Sequence, residues 1–261
     1  MRRAIVRWLE TSRVSGVILI LLLLVLWQFS AVYVMDTPTW PPVTRIFAAW
    51  YENVADGTLI MHLLATLWRQ MLGYSLAVTL GITLGLAMGY YRILNNLFEP
   101  LVEVFRPIPG PAYLPVLVLF VGIGSEMKVV LVMIASLFPI LLNTYGGVRA
   151  IDPVQLDTAR TLGLTTAQTM REVVLPAASP QILTGMRISL AISLILAILS
   201  EMIVSTDGLG YFTLLAERTF KVPDMYAGIF TLAMFGYVLN RLFLMGEAKL
   251  IRWHQESSGR R

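Results

Sequence analysis

The sequence has no cysteine and two histidines, His62 and His254. Disulfides, thiolate chemistry and cysteine-ligated metals are excluded, and two distant histidines leave little from which to build a zinc site. Charge is scarce as well: 14% of the 261 residues are Asp, Glu, Lys or Arg, against 57% that are hydrophobic. Such a chain is too apolar for one soluble domain and too low in net charge for disorder. No Gly-Lys pair occurs, so there is no phosphate-cradling P-loop, and the His-Glu-x-x-His pattern of zinc proteases is also missing. GIGS at Gly122 to Ser125 hints at a serine nucleophile, but no histidine base falls near it. The net charge of +4 is not gathered into a basic patch interleaved with aromatics, so nucleic acid is not an expected partner.

What remains is a bilayer protein. A hydrocarbon core of about 30 Å needs roughly 20 apolar residues in a helix. Six runs of that kind are present, at about 14–35, 66–90, 97–121, 126–148, 179–204 and 224–248. The fold class is therefore all-α polytopic, with a single transmembrane domain over 14–248, a cytoplasmic loop at 149–178, and tails at 1–13 and 249–261. The first run is read as a span rather than a signal sequence, because it is long and no small-residue cleavage site follows. Orientation follows from Lys and Arg. With the N-terminus inside, the cytoplasmic segments hold Arg2, Arg3, Arg7, Arg13, Arg92, Arg149, Arg160, Arg171, Lys249, Arg252, Arg260 and Arg261, while the outer loops hold Arg45, Arg218 and Lys221. Both termini are expected in the cytoplasm.

The third run contains RPIPGPAYLP, with Pro107, Pro109, Pro111 and Pro115. Each removes a backbone donor and obstructs a regular helix, and irregular backbone survives at membrane depth only under protein or beside a water-filled cavity. A buried kinked connector and a pathway-lining segment both fit. Pro139 predicts a kink in the fourth span. Gly73, Ala77, Gly81, Gly85 and Gly89 place small residues every fourth position of the second span, a packing stripe for a neighbouring helix in this chain or in a second copy.

Three ionisable residues within spans are weighed as pathway candidates. Arg106 and Arg187 lie about 12 to 14 Å from the inner boundary at 1.5 Å per residue. The plain reading pairs Arg106 with Glu103 and lets Arg187 snorkel inward; the sharper one has them line a cavity that favours an anion. Glu201 sits at the outer end of the fifth span, where solvation by the interface is the simpler expectation. Pro107 and Pro109 join them as pathway candidates.

The polar stretch LDTARTLGLTTAQTMREVVLP, Leu156 to Pro176, predicts two short helices and a tight turn. Asp152 is a good N-cap, Pro153 fits the first helical position, Gln155 stands at the capping-box position, and Gly163 can close the helix in the left-handed conformation. Thr165 and Gln168 repeat the box, and Pro176 is expected to stop the second helix. Together these devices specify a rigid elbow.

These residues carry a family resemblance. The cytoplasmic loop of ABC importer permeases reads E-A-A, three residues, G, nine residues, I-x-L-P; here Asp157-Thr158-Ala159, Gly163 and Val173-Val174-Leu175-Pro176 fall at that spacing. Asp replaces Glu, Thr replaces the first Ala and Val replaces Ile. TWPPVTRIF, RPIPGPAYLPVLVLFVGIG, FPILLNTYGGVRAIDP, LPAASPQILTGMRISL, SEMIVSTDGLGYF and LIRWH extend the resemblance to the branch for sulfonates, taurine, nitrate or bicarbonate, and thiamine-precursor pyrimidines. It implies a type I importer permease fold and a coupling helix, carried by Asp157, Thr158, Ala159, Arg160, Gly163, Leu164, Leu175 and Pro176, that seats in a separate ATPase. The implied partners are a second permease copy in a homodimer, two ATPase subunits, an extracytoplasmic solute-binding protein and membrane lipid. No cofactor is implied for this chain: ATP and Mg would bind the ATPase, and the chain would be no enzyme. The implied location is the bacterial cytoplasmic (inner) membrane. Outer loops 36–65 and 205–222 become the docking surface for the binding protein, and YFTLLAERTF in the second reads as a short interfacial helix or a docking element. The rival readings are a stand-alone secondary transporter or channel, which lacks the expected internal repeat and carboxylates, and an intramembrane enzyme.

Overall fold

The computed structural model describes residues 13–35 and 37–250. The tails 1–12 and 251–261, with their arginines and His254, lie outside the described residues, as does Asp36. Every regular element among the described residues is helical. Five helices are long and apolar enough to cross a membrane, or six if one bent pair counts as a span.

The chain divides into two units, one running to Ile60 and including Phe212–Thr231, the other covering Met61–Tyr211 and Leu232 onward. In the first unit, α1 (Arg13–Tyr33) is followed by α2 (Val43–Ala55). The TWPP sequence joins them. Trp40 stacks on Trp27 at 4.7 Å, the Trp27 indole donates to the Pro41 carbonyl (3.1 Å), and the Trp40 indole donates to the Ser30 hydroxyl (3.0 Å). Pro fixes its own backbone and donates nothing, so Pro41 serves here as an acceptor. Farther along α2, Trp50 donates to Thr231 (3.1 Å) and Asn53 to Asp224 (2.9 Å). The outer segment drawn over 36–65 is thus largely helical.

The second span, α3 (Thr58–Tyr90), begins eight residues before the expected 66. Asp56 accepts from the Thr58 amide (2.8 Å), a local cap that starts the helix before the apolar run does. The third span is two helices, α4 (Arg92–Phe105) and α5 (Leu114–Val121), with a 3-10 turn at Gly110–Tyr113 and a bend of 94° between the two segments. The break falls at Arg106–Pro109, where Pro107 and Pro109 withhold the donors on either side of Ile108. α6 (Ser125–Arg149) runs through Pro139 without interruption.

α7 (Pro153–Thr161) and α8 (Thr166–Thr169) form the elbow. One expectation fails here: Pro176 does not stop the second helix. A π-turn over Met170–Val174 leads straight into α9 (Leu175–Ile203), giving one apolar helix of 38 residues, Thr166–Ile203. Pro176 sits at the first turn of α9, next to the π-turn, where its missing donor is tolerated. Pro180 removes the amide that would reach the Pro176 carbonyl, and the Ser179 hydroxyl donates to that carbonyl instead (2.8 Å). The fifth span therefore starts inside the segment assigned to the loop, not at 179. α10 (Leu209–Arg218) and α11 (Val222–Leu250) complete the described residues, and α10 is a short helix within 205–222.

The glycine stripe of α3 finds its partner within the chain. A Cβ at Gly85 would lie 2.6 Å from Thr144 Cβ, at Gly89 2.6 Å from Val148 Cβ, and at Gly73 2.7 Å from the Val129 carbonyl. α6 meets α9 the same way, since a Cβ on Gly185 would stand 2.8 Å from the Pro139 carbonyl. Small residues let backbones approach where apolar lipid supplies no drive to associate. α3, α6 and α9 thus pack as one body, with Leu131, Val132, Ile140, Leu190 and Ala197 buried among them.

Candidate functional site

The elbow is built by its own sequence. The Asp152 side chain accepts from the Val154 amide (2.9 Å), which caps α7; no reciprocal bond from Gln155 forms among the described residues, so this end is a simple cap rather than a box. At the other end Gly163 has φ +69, its amide donates to the Arg160 carbonyl (3.0 Å), and the Leu164 amide donates to that of Ala159 (3.1 Å). This pair of bonds is the Schellman ending, which needs a left-handed residue after the cap. The Thr165–Gln168 box closes in full, with the Gln168 amide on Thr165 Oγ1 (3.3 Å) and the Thr165 amide on Gln168 Oε1 (2.9 Å).

One face of the elbow is buried and the other is free. Ala159, Thr169 and Val174 point inward, and Val174 packs with Val148, Ile151, Ala178 and Ile182, which fastens the elbow to the ends of α6 and α9. Asp157, Thr158, Arg160, Gly163 and Leu175 are exposed, and Leu164 and Pro176 are half-buried. The large apolar side chains most exposed on the elbow are Val154, at 67%, and Leu162, at 72%. Beside them lies a cleft of about 820 Å³, bounded by Asp152, Thr158, Leu162, Glu172 and Pro176. Asp157 bonds Arg160 (2.8 Å), an exposed i,i+3 pair of small energetic weight.

The broken third span opens a second cavity of about 460 Å³, lined by Arg106, Pro107, Gly110, Tyr113, Phe138 and Pro139 among others. Arg106 makes no ion pair with Glu103 or with any other described residue. Pro109 caps the 3-10 turn. Arg187 is exposed on α9 and does not line this cavity, so the two arginines are not brought together in it.

Glu201 departs furthest from expectation. It is 1% exposed rather than solvated by an interface, and it belongs to a buried polar cluster at the end of α9 opposite the elbow. Its Oε1 accepts from Arg69 (3.0 Å), and its Oε2 accepts from the Thr66 hydroxyl (2.8 Å) and the Gly210 amide (3.1 Å). Arg69 also donates to Asp207 and to the Ser125 hydroxyl (3.1 Å), and Lys128 donates to Ser205 (2.8 Å). Burial alone would raise the Asp207 carboxyl, but the Arg69 hydrogen bond and charge, with Ser205 and Lys128, bring it below the ordinary aspartate value. Arg69, Lys128 and Asp207 were not candidates on sequence. The available signal was a pair of cations, Arg69 and Lys128, inside apolar spans that also offered Glu201 as a counter-charge.

Residues 77–250 match the family of binding-protein-dependent transport system inner membrane components. The chain belongs to that family. The permease is 32% identical to the taurine transport system permease protein TauC of Escherichia coli, over 98% of this chain and 95% of that protein. It is 28% identical to the putative aliphatic sulfonates transport permease protein SsuC of Bacillus subtilis, over 94% and 89% respectively. Among solved structures, the MetNI methionine ABC transporter in inward-facing conformations matches with a TM-score of 0.64 at 19% identity, over 74% of this chain and 94% of that chain. That likeness shows the fold. The permease is thus an ABC importer subunit, an inner-membrane multi-pass protein, and its relatives include permease subunits named for taurine and for aliphatic sulfonates.

Proposed function

We propose that two copies of this permease form the translocation pathway of a binding-protein-dependent importer for a small organic sulfonate, driven by ATP hydrolysis in a separate subunit. The relatives named for taurine and aliphatic sulfonates supply the substrate class. The observation that carries the mechanical part is the elbow, a short capped helix with one face fastened to α6 and α9 and the other exposing Val154, Asp157, Thr158 and Leu162. It contains no catalytic group. In this reading α7 seats in the ATPase, which holds ATP and Mg; this chain holds no cofactor. Residues 14–248 form a single permease domain, both tails are cytoplasmic, and loops 36–65 and 205–222 face the solute-binding protein.

The pathway passes the broken third span. Arg106, with no ion-pair partner among the described residues, stands at a cavity walled by Phe138, Leu142, Ile192 and Leu196. A guanidinium beside apolar walls matches a sulfonate head on a short aliphatic tail. The assembled transporter in proteoliposomes provides the test, with taurine and a short alkanesulfonate as substrates. ATP-driven uptake is expected in the unmodified protein, and Arg106→Gln is expected to lower it about tenfold without reducing ATPase copurification. Uptake driven by an ion gradient without ATP would overturn the importer reading, and full sulfonate uptake by Arg106→Gln would remove Arg106 from the pathway.

A further inference from the structure

The buried cluster at the far end of α9 is not needed to fill space. Taking three ionisable side chains out of water carries a desolvation cost that apolar residues of similar volume avoid. Arg69, Lys128 and Glu201 are nevertheless 5%, 4% and 1% exposed. Their geometry shows what the charges hold. Gly208 immediately precedes α10 and Leu209 and Gly210 begin it, and the first amides of a helix have no partner within it. The Gly208 amide donates to His62 Nδ1 (3.0 Å), the Leu209 amide to Thr66 Oγ1 (2.8 Å), and the Gly210 amide to Glu201 Oε2 (3.1 Å). Three successive amides are thus capped by side chains of α3 and α9. Upstream, Asp207 is held by Arg69, and Ser205 by Lys128 of α6.

The glycines fit this arrangement. Gly208 has φ +97, and a Cβ there would run into the Glu201 carboxyl; one on Gly210 would run into the Ile198 carbonyl. The backbone of this segment lies directly against the Glu201 side chain. Moving it away from α3 and α9 would break all three of these amide bonds at once, and a buried amide left without a partner costs about 1 to 3 kcal/mol.

The other end of the same helix is the elbow. Thr166–Ile203 is unbroken over 38 residues, roughly 57 Å at 1.5 Å per residue, and its packing on α6 is continuous from Gly147 to Leu196. We propose that Arg69 and Glu201 are positioning residues that lock segment 205–210 to the α3–α6–α9 body, so that a displacement of the elbow is delivered at the opposite end of α9. This rests on the elbow being the ATPase contact. The segment so moved lies in the loop proposed to face the solute-binding protein, which makes the clamp the far terminus of coupling.

The absence of native cysteine gives a clean test. Thr206 is exposed within the segment, and Thr206→Cys would be this chain's single thiol. Its maleimide labelling is measured in the assembled transporter, nucleotide-free and trapped with ATP and vanadate. The labelling rate is expected to change severalfold between the two states. In the Arg69→Met/Glu201→Met background, which replaces the ion pair with apolar side chains of similar length, the change should vanish. Uptake should fall about tenfold or more, while the ATPase still copurifies. Nucleotide-dependent labelling that survives in the double variant would overturn the proposal, and so would labelling that never responds in the Thr206→Cys chain. If the double variant does not assemble, Glu201→Gln decides: it keeps acceptors for Gly210 and Thr66 but loses the charge held by Arg69, and its response should be reduced, whereas an unchanged response overturns the clamp. Failure of the elbow reading has a separate signature, since the ATPase would then fail to copurify with the unmodified chain.

Discussion

The two ends of the helix Thr166–Ile203 meet the same physical problem, the unpaired amides of a helix start, and solve it oppositely. At the elbow the caps are local: Asp152 serves Val154 two residues on, and Thr165 and Gln168 serve each other across three. At the far end the caps for Gly208 and Leu209 come from His62 and Thr66, 146 and 143 positions away in sequence. Local caps fix a shape whatever surrounds it, which leaves the outer face free to bind a partner. Remote caps fix a relationship between helices, and they fail when any one of those helices moves.

The largest effect that separates the two ends is on stability. Glu201→Ala leaves Arg69 buried with its main partner gone, a change that costs about 3 to 5 kcal/mol in comparable buried pairs. Asp152→Ala removes one exposed cap, worth about 1 kcal/mol. Thermal unfolding of the detergent-solubilised permease should therefore show a much lower midpoint for Glu201→Ala and a small shift for Asp152→Ala. Comparable midpoints for the two variants would mean that water reaches the Arg69 site and that the cluster is not a closed one.

How much of each end the sequence discloses follows from the same contrast. The elbow was legible because its determinants lie within a few residues of one another: Asp152, Pro153, Gly163 and the Thr165–Gln168 pair announce their roles by spacing. What spacing misjudged was Pro176. A proline signals a stop unless the preceding turn widens to accommodate it, and the π-turn over Met170–Val174 is visible only in three dimensions. The cluster at the other end was nearly illegible. Glu201 alone suggests interfacial solvation; that it meets Arg69, 132 residues earlier, depends on how α3 and α9 pack across α6. The glycine stripe predicted a close neighbour but could not say which helix supplied it.

Glycine substitutions sharpen the contrast at intermediate size. Gly163 and Gly208 both adopt positive φ, +69 and +97, but the first faces open space and the second faces the Glu201 carboxyl. Gly163→Ala should cost only the left-handed backbone term, about 1 to 2 kcal/mol, while Gly208→Ala adds a clash in a buried cluster and should cost more. Gly163→Pro differs from both, because a proline ring cannot reach φ +69. It should abolish ATP-driven uptake while leaving the spans inserted, as read by protease accessibility of the membrane-embedded protein. Full uptake by Gly163→Pro would end the claim that elbow shape transmits the stroke.

The smallest effect concerns acid. The Asp207 pKa is depressed below its usual 3.8, chiefly because Arg69 outweighs the penalty of burial. A carboxyl with a depressed folded-state pKa contributes stability that is present above the unfolded value and is lost as pH falls through the folded one. The window therefore lies below about pH 4, and the gain is modest because the Asp207 side chain is 44% exposed and screened by water. The elbow has no comparable carboxylate on a buried cation, so its caps should not impose this dependence. Comparing unfolding midpoints of the unmodified permease and Asp207→Asn from pH 6 downward isolates the contribution: the variant should start lower, and the two curves should converge below pH 4. Parallel curves across that range would show that Arg69 is held by Glu201 alone and that Asp207 is a bystander to the clamp.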